Sequence, residues 1–238
     1  MFVNMWMTRE LQTATPQATL AEIATRMARH KIRRLPIVSE VTGGLHLLGI
    51  VTHSDVLHAF PTNVNPFAIT AADSVAAIDS AAGSSRVTAA ELMTRDPRVT
   101  APDAPIESAA RLMLDHKIGA LPVVSQQMLV GLITESDIFR AMVEVFEAPD
   151  RAVRITFSLS PGEDVLPLVA DIARNRAMRV TSFMTLPRHE PPVCVVQLAG
   201  SQVDETLEDV WESRHRVMNV INLAAEAGKP KPGGSGAT

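Results

Sequence analysis

Two four-residue segments carry the side chains best suited to chemistry: Thr52-His53-Ser54-Asp55 and Thr134-Glu135-Ser136-Asp137. Each follows an apolar run, Gly49-Ile50-Val51 or Gly131-Leu132-Ile133, so hydroxyls and a carboxylate gather where a strand ends and a helix begins. An ionised Asp one turn into a helix can accept hydrogen bonds from both hydroxyls of a ribose diol, at about 1.5–3 kcal/mol each. Beside it, the Thr and Ser hydroxyls accompany the free N–H groups of a helix N-terminus, whose dipole favours a phosphate. Ser54, Asp55, Ser136 and Asp137 serve equally well as helix caps, and the sequence leaves both roles open.

The elements that position these residues occur twice. Met7-Thr8 recurs as Met93-Thr94, Thr15-Pro16 is echoed by Ala101-Pro102, His30-Lys31-Ile32 returns as His116-Lys117-Ile118, and Leu35-Pro36-Ile37-Val38 as Leu121-Pro122-Val123-Val124. All four pairs lie 86 positions apart; the Gly-x-x-Thr-x-Ser-Asp endings lie 82 apart. The slip places four extra residues in the first copy, expected in the loop around Thr42-Gly43-Gly44. Leu20, Ile23, Ala24 and Met27 fall at the spacing of a helix with one buried face, as do Ile106, Ala109, Ala110 and Met113. Two short β-branched runs and a second helix follow in each copy. A strand-helix-strand-strand-helix unit of this size has a sheet face to cover, so the copies are expected to pack together.

Composition narrows the function classes. The 238 residues are 46% hydrophobic and 20% charged, the balance of a chain that buries a core. A net charge of -4 supplies no general attraction to nucleic acid. There is no apolar run long enough for a bilayer and no secretory leader at Met1–Met7, which predicts a cytoplasmic protein without membrane attachment. The single cysteine, Cys194, sits in Pro192-Val193-Cys194-Val195-Val196 and is expected to be a core thiol on a strand. No zinc-type spacing, phosphate-binding glycine loop or catalytic signature occurs, and His30 and His116 are expected to end helices rather than hold metal. The sequence therefore predicts neither an enzyme nor a metal site.

The doubled motif resembles the CBS domain pair, or Bateman module, over roughly residues 5–145. That resemblance implies two clefts related by a pseudo-twofold axis, binding AMP, ADP, ATP or S-adenosylmethionine as a regulatory ligand rather than a catalytic cofactor. It implies a first cleft with Thr52, His53, Ser54 and Asp55, its base lined by Ala14, Thr15, Arg34, Leu35 and Pro36. A second cleft would use Thr134, Glu135, Ser136 and Asp137, with Val99, Thr100, Ala101, Ala120, Leu121 and Pro122. Arg33, Arg34 and His53 would attract a polyphosphate to the first, whereas Glu135 would repel one from the second, which then suits AMP or an adenosine moiety.

From Arg151 the pattern changes to strand, helix, strand, strand, helix, strand: Val153–Leu159, Val165–Ala173, Val180–Met184, Val193–Leu198, Val203–Arg214 and Val217–Ile221. This βαββαβ order is a ferredoxin-like plan. With Ser160-Pro161-Gly162-Glu163 at its first turn, it resembles an ACT domain, which implies an amino acid or small-metabolite input and side-by-side pairing. Gly162 there permits close ligand approach or simply makes a turn.

The expected organisation is α+β: a first CBS domain over 1–60, a linker with partial helix near Ala71–Ala82 over 61–90, a second CBS domain over 91–147, an ACT-like domain over 151–223 and a disordered tail over 224–238. The chain resembles stand-alone CBS–ACT and acetoin-utilisation accessory proteins. That implies a non-catalytic metabolite or energy sensor, homodimeric, acting on an unidentified protein. The alternative is a dimerisation or adaptor protein with empty clefts.

Overall fold

The computed structural model describes residues 1–60, 67, 87–147, 149 and 151–223. The linker helix expected near Ala71–Ala82 and the tail from 224 lie outside these residues. The chain divides into two compact units, Met1–Ala141 and Met142–Thr238.

In the first unit, each copy of the repeat forms a helix, a β-hairpin and a second helix. The first copy runs α1 (Leu20–His30), β1 (Arg34–Val41), β2 (Gly44–Thr52) and α2 (His53–Ala59). A short helix α3 (Ala89–Leu92) and strand β3 (Thr94–Arg95) precede the second copy: α4 (Ile106–His116), β4 (Ala120–Ser125), β5 (Met128–Thr134) and α5 (Glu135–Phe146). Thr19 starts α1 with a reciprocal capping box to Glu22, and α1 and α4 both stop at a left-handed lysine, Lys31 and Lys117. His30 and His116 are thus the last helical residues. The apolar stripe predicted for α1 is buried, with Leu20, Ile23, Ala24 and Met27 all 1% exposed or less.

The sheet order is β1-β2-β5-β4, with β3 added to β2. The two hairpins meet at one pair, His46 opposite Met128. Both carry a register shift at the same repeat position, Ile37/Val38 and Val123/Val124. The leading strand expected in each copy is reduced to one parallel bridge, Ala14 to Ile37 and Thr100 to Val123. The four extra residues of the first copy also lie elsewhere than expected. Both hairpin loops span two residues, Thr42-Gly43 and Gln126-Gln127, and the first hairpin is longer by two residue pairs, Glu40 to Leu45 and Val41 to Gly44. Gln126 and Gln127 take φ 49° and 66°, as a two-residue turn matched to strand twist requires.

The copies exchange their leading segments. Thr8 pairs with Leu132 of the second copy, whereas Thr94 and Arg95 pair with Ile50 and Gly49 of the first. Val3 and Met7 pack with Ile106, Met113, Leu121 and Ile133, while Ala89, Leu92 and Met93 pack with Leu20, Ile23, Leu35 and Val51. Gly49 and Gly131 make this exchange sterically feasible. A Cβ at Gly49 would meet Met93 Sδ at 2.6 Å and the Thr94 carbonyl at 2.8 Å; at Gly131 it would meet Met7 Sδ at 2.6 Å. Each core therefore includes a leading segment from the other copy.

The second unit runs β6 (Ala152–Ser158), α6 (Leu166–Asn175), β7 (Arg179–Leu186), β8 (Val193–Ala199), α7 (Val203–Glu212) and β9 (Arg216–Asn222), preceded by the end of α5. Its sheet order is β7-β8-β6-β9, with every neighbouring pair antiparallel. Val153, Ile155 and Phe157 of β6 and Cys194, Val196 and Leu198 of β8 alternate onto the face that packs against Val169, Ile172 and Val210 of the helices. Cys194 is fully buried, and burial, aided by the Asp164 carboxylate, pushes its thiol up to about 11. Arg176 and Asp209 join α6 to α7 through two hydrogen bonds of 2.7 and 2.6 Å.

Candidate functional site

Both helix starts place their Asp by a capping box. Thr52 is extended and begins α2; its N–H and Oγ1 donate to Asp55 Oδ2 at 2.7 and 2.8 Å, and the Asp55 N–H donates back to Oγ1 at 3.3 Å. Thr134 and Asp137 repeat this geometry at 2.8, 2.7 and 3.4 Å. Cap formation, one of the two roles open in the sequence, is thus realised in both copies. The second carboxyl oxygen separates them. Asp137 is 5% exposed and its Oδ1 accepts from Arg140 at 2.7 Å, while Arg140 also donates to the Trp6 carbonyl. Asp55 is half-buried, and its Oδ1 has no hydrogen-bond partner among the described residues.

A cavity of about 560 Å³ lies in the first unit, a size suited to a small molecule. Three segments build it: Thr8 with Glu10-Leu11-Gln12, the stretch Lys31-Ile32-Arg33-Arg34 that leads from α1 into β1, and Gly119, Leu132 and Thr134-Glu135-Ser136 of the second copy. Its walls thus hold three cations, two carboxylates and three hydroxyls. Arg34 stands opposite Thr52 in the β1–β2 ladder, yet its side chain reaches the second copy. A Cβ built on Gly119 would lie 2.5 Å from Arg34 Nη2 and 2.9 Å from Glu135 Oε2, so the missing side chain leaves room for both groups.

The expected separation of a basic first cleft from an acidic second one is therefore corrected. Arg33, Arg34 and Glu135 line the same cavity. His53 is also no cation at neutral pH: partial burial, then the charges of Arg33 and Arg34, hold its pKa below the usual value. Its ring stacks on Phe67 at 3.9 Å.

Of the residues implied by resemblance, this cavity gathers Arg34, Thr134, Glu135 and Ser136; Asp137 is not among its walls. Ala14 and Pro36 adjoin one another through the Ala14 N–H to the Pro36 carbonyl at 3.1 Å, as do Thr100 and Pro122 at 3.0 Å. Leu35 and Leu121 have no exposed surface; their side chains fill the cores and cannot line a cleft. Ala14, Ala120, Pro36 and Pro122 are also buried, whereas Thr15, Ser54, Val99 and Ala101 are exposed. The sequence reading missed Thr8 to Gln12, Lys31-Ile32 and Gly119. The recurrence of Met7-Thr8 was a signal for the first of these, since a repeated polar residue outside the helix has a position to hold. Among the described residues no group of three or more His, Cys, Asp or Glu could hold a metal ion, and no helix is long and apolar enough to cross a membrane.

Comparison with known proteins locates the repeat. Residues 3–62 and 89–144 match the family model described as CBS domain. An inosine-5'-monophosphate dehydrogenase of Korarchaeum cryptofilum is 27% identical over 198 residues, 83% of this chain and 35% of the dehydrogenase. The chain thus spans about a third of that relative. A CBS domain-containing protein of Bacillus subtilis, YhcV, is 28% identical over 132 residues, 56% of this chain and 79% of that protein. A solved structure of an acetoin utilization protein from Vibrio cholerae is 32% identical, with a TM-score of 0.47, covering 61% of this chain and 93% of that one.

Proposed function

The chain carries a tandem pair of CBS domains, and from that premise we propose that it is a non-catalytic regulatory protein that binds an adenosyl ligand between the two copies. The observation carrying this reading is the cavity whose walls combine Arg33 and Arg34 of one copy with Thr134 and Ser136 of the other. Apolar Leu11, Ile32 and Leu132 offer a surface for a base, the hydroxyls and helix start suit a phosphate, and the arginines supply counter-charge. The ligand class is AMP, ADP, ATP or an S-adenosylmethionine-like molecule. Neither Asp55 nor Asp137 is among the walls of that cavity, and Asp137 would first have to release Arg140 to serve as a ribose ligand.

The second unit supports an ACT-like, ferredoxin-type reading through its βαββαβ order and its strand order with β6 and β8 central. Gly162, at φ 78°, forms the turn after β6. On this reading the chain integrates two small-molecule inputs, forms homodimers and reports to a partner protein.

Calorimetric titration of AMP, ADP, ATP and S-adenosylmethionine tests the reading. Arg34→Ala is expected to cost the nucleotides roughly 10- to 150-fold in affinity, the equivalent of ~1.5–3 kcal/mol. Absence of binding by all four would sink it. A second reading, an adaptor with unused clefts, rests on two contacts that satisfy candidate groups from within: Arg140 on Asp137 and Phe67 on His53.

A further inference from the structure

Arg34 and Glu135 come from different copies of the repeat and reach the same point above Gly119. Glu135 is the first residue of α5, a twelve-residue helix, and Thr134 and Ser136 flank it on the cavity wall. A ligand phosphate placed between Arg34 and these hydroxyls must approach the Glu135 carboxylate. In the other copy the equivalent residue is His53, uncharged at neutral pH and stacked on Phe67. The charge at this repeat position is thus a property of one helix start alone.

We propose that Glu135 is a specificity determinant of the cavity: its carboxylate competes with ligand phosphate for Arg34 and sets how many negative charges a bound adenosyl ligand carries. This rests on the cavity being the adenosyl site. A ligand phosphate and the Glu135 carboxylate are like charges that repel at a solvated wall, and each phosphate added to a ligand adds to that cost. Arg34 acts in the opposite sense, so the two residues together balance nucleoside against nucleotide. Gly119 is a positioning residue here, because any side chain at that point would push the two groups apart.

Calorimetry with adenosine, AMP and ATP at one fixed ionic strength, on the full chain and on Glu135→Gln and Arg34→Gln, tests the assignment. Glu135→Gln is expected to tighten ATP by on the order of tenfold relative to adenosine, and AMP by less. Arg34→Gln is expected to shift the same ratio the other way. Adenosine binding that is similar in all three proteins, with an unchanged ATP-to-adenosine ratio, would overturn the role of Glu135 and leave the adenosyl reading standing. No binding of any of the three to any protein would overturn both.

Discussion

Thr52 and Thr134 begin their helices with the same hydrogen bonds, yet the surroundings of the two starts have diverged. In the first copy, Arg33 precedes the strand and Arg34 opens it, His53 follows the Thr and is stacked on Phe67, and Asp55 Oδ1 has no hydrogen-bond partner among the described residues. Gly119-Ala120, Glu135 and a fully engaged Asp137 occupy those places in the second. Duplication has preserved what folding needs, the cap and the Gly that accepts the exchanged segment. The positions facing the cavity have separated, so that each copy supplies what the other lacks.

The largest test of this comparison concerns the exchanged methionines. Met7 is buried in the second core at 8% exposure and Met93 is only half-buried in the first, so Met7→Ala is expected to lower stability by about 2–4 kcal/mol and Met93→Ala by roughly half that. Urea denaturation of the full chain measures both; equal losses would mean the cores depend on their borrowed segments alike. A smaller effect is expected at the glycines. Gly49→Ala should cost about 1–3 kcal/mol, because the Thr94 carbonyl at 2.8 Å is backbone and cannot swing away. Gly131→Ala should fall at the low end of that range, since the Thr8 carbonyl is 3.1 Å away and Met7 can adjust.

At the caps, Asp137→Asn is expected to lose about 1–2 kcal/mol, leaving Arg140 without its carboxylate, and Asp55→Asn about 0.5–1 kcal/mol. Thermal unfolding of the two variants ranks them; the reverse order would show that the Arg140 contact adds nothing. The smallest effect is in pH. Because the folded pKa of His53 lies below its ordinary 6.5, the unfolded chain binds the proton more readily, and stability falls as pH drops from above 6.5 toward the folded value. Wild type should therefore lose stability relative to His53→Gln between pH 7.5 and 5.5, by a modest amount because the ring is largely solvated. A flat difference across that range would remove the effect assigned to burial and to the charges of Arg33 and Arg34.

Local features were legible in the residues. The buried helix stripes, the hairpin strands and the Thr-to-Asp caps follow from spacing alone, because periodicity and caps act over a few residues. Similarity between the copies showed which residues are equivalent but not which copy each one serves. Met7-Thr8 and Met93-Thr94 match as a pair in the sequence, but their exchange is not visible there, since pairing of distant strands leaves no mark in a single chain. Arg34 was assigned to the side of Thr52, which is correct for its backbone; a long side chain crossing to Gly119 is a tertiary fact. Leu35 and Leu121 illustrate the converse, motif residues whose burial period points them into the core rather than the cleft.

The exchange of leading segments also sets an order in time. During synthesis Val3 to Thr8 emerge more than a hundred residues before Leu132 and Ile133, the strand and core they join. Residues 87–95, by contrast, appear after the rest of the first copy and can complete it at once. The nascent protein therefore carries this apolar segment unpaired until the second copy is made, and closing that long loop is the step expected to make the first unit whole.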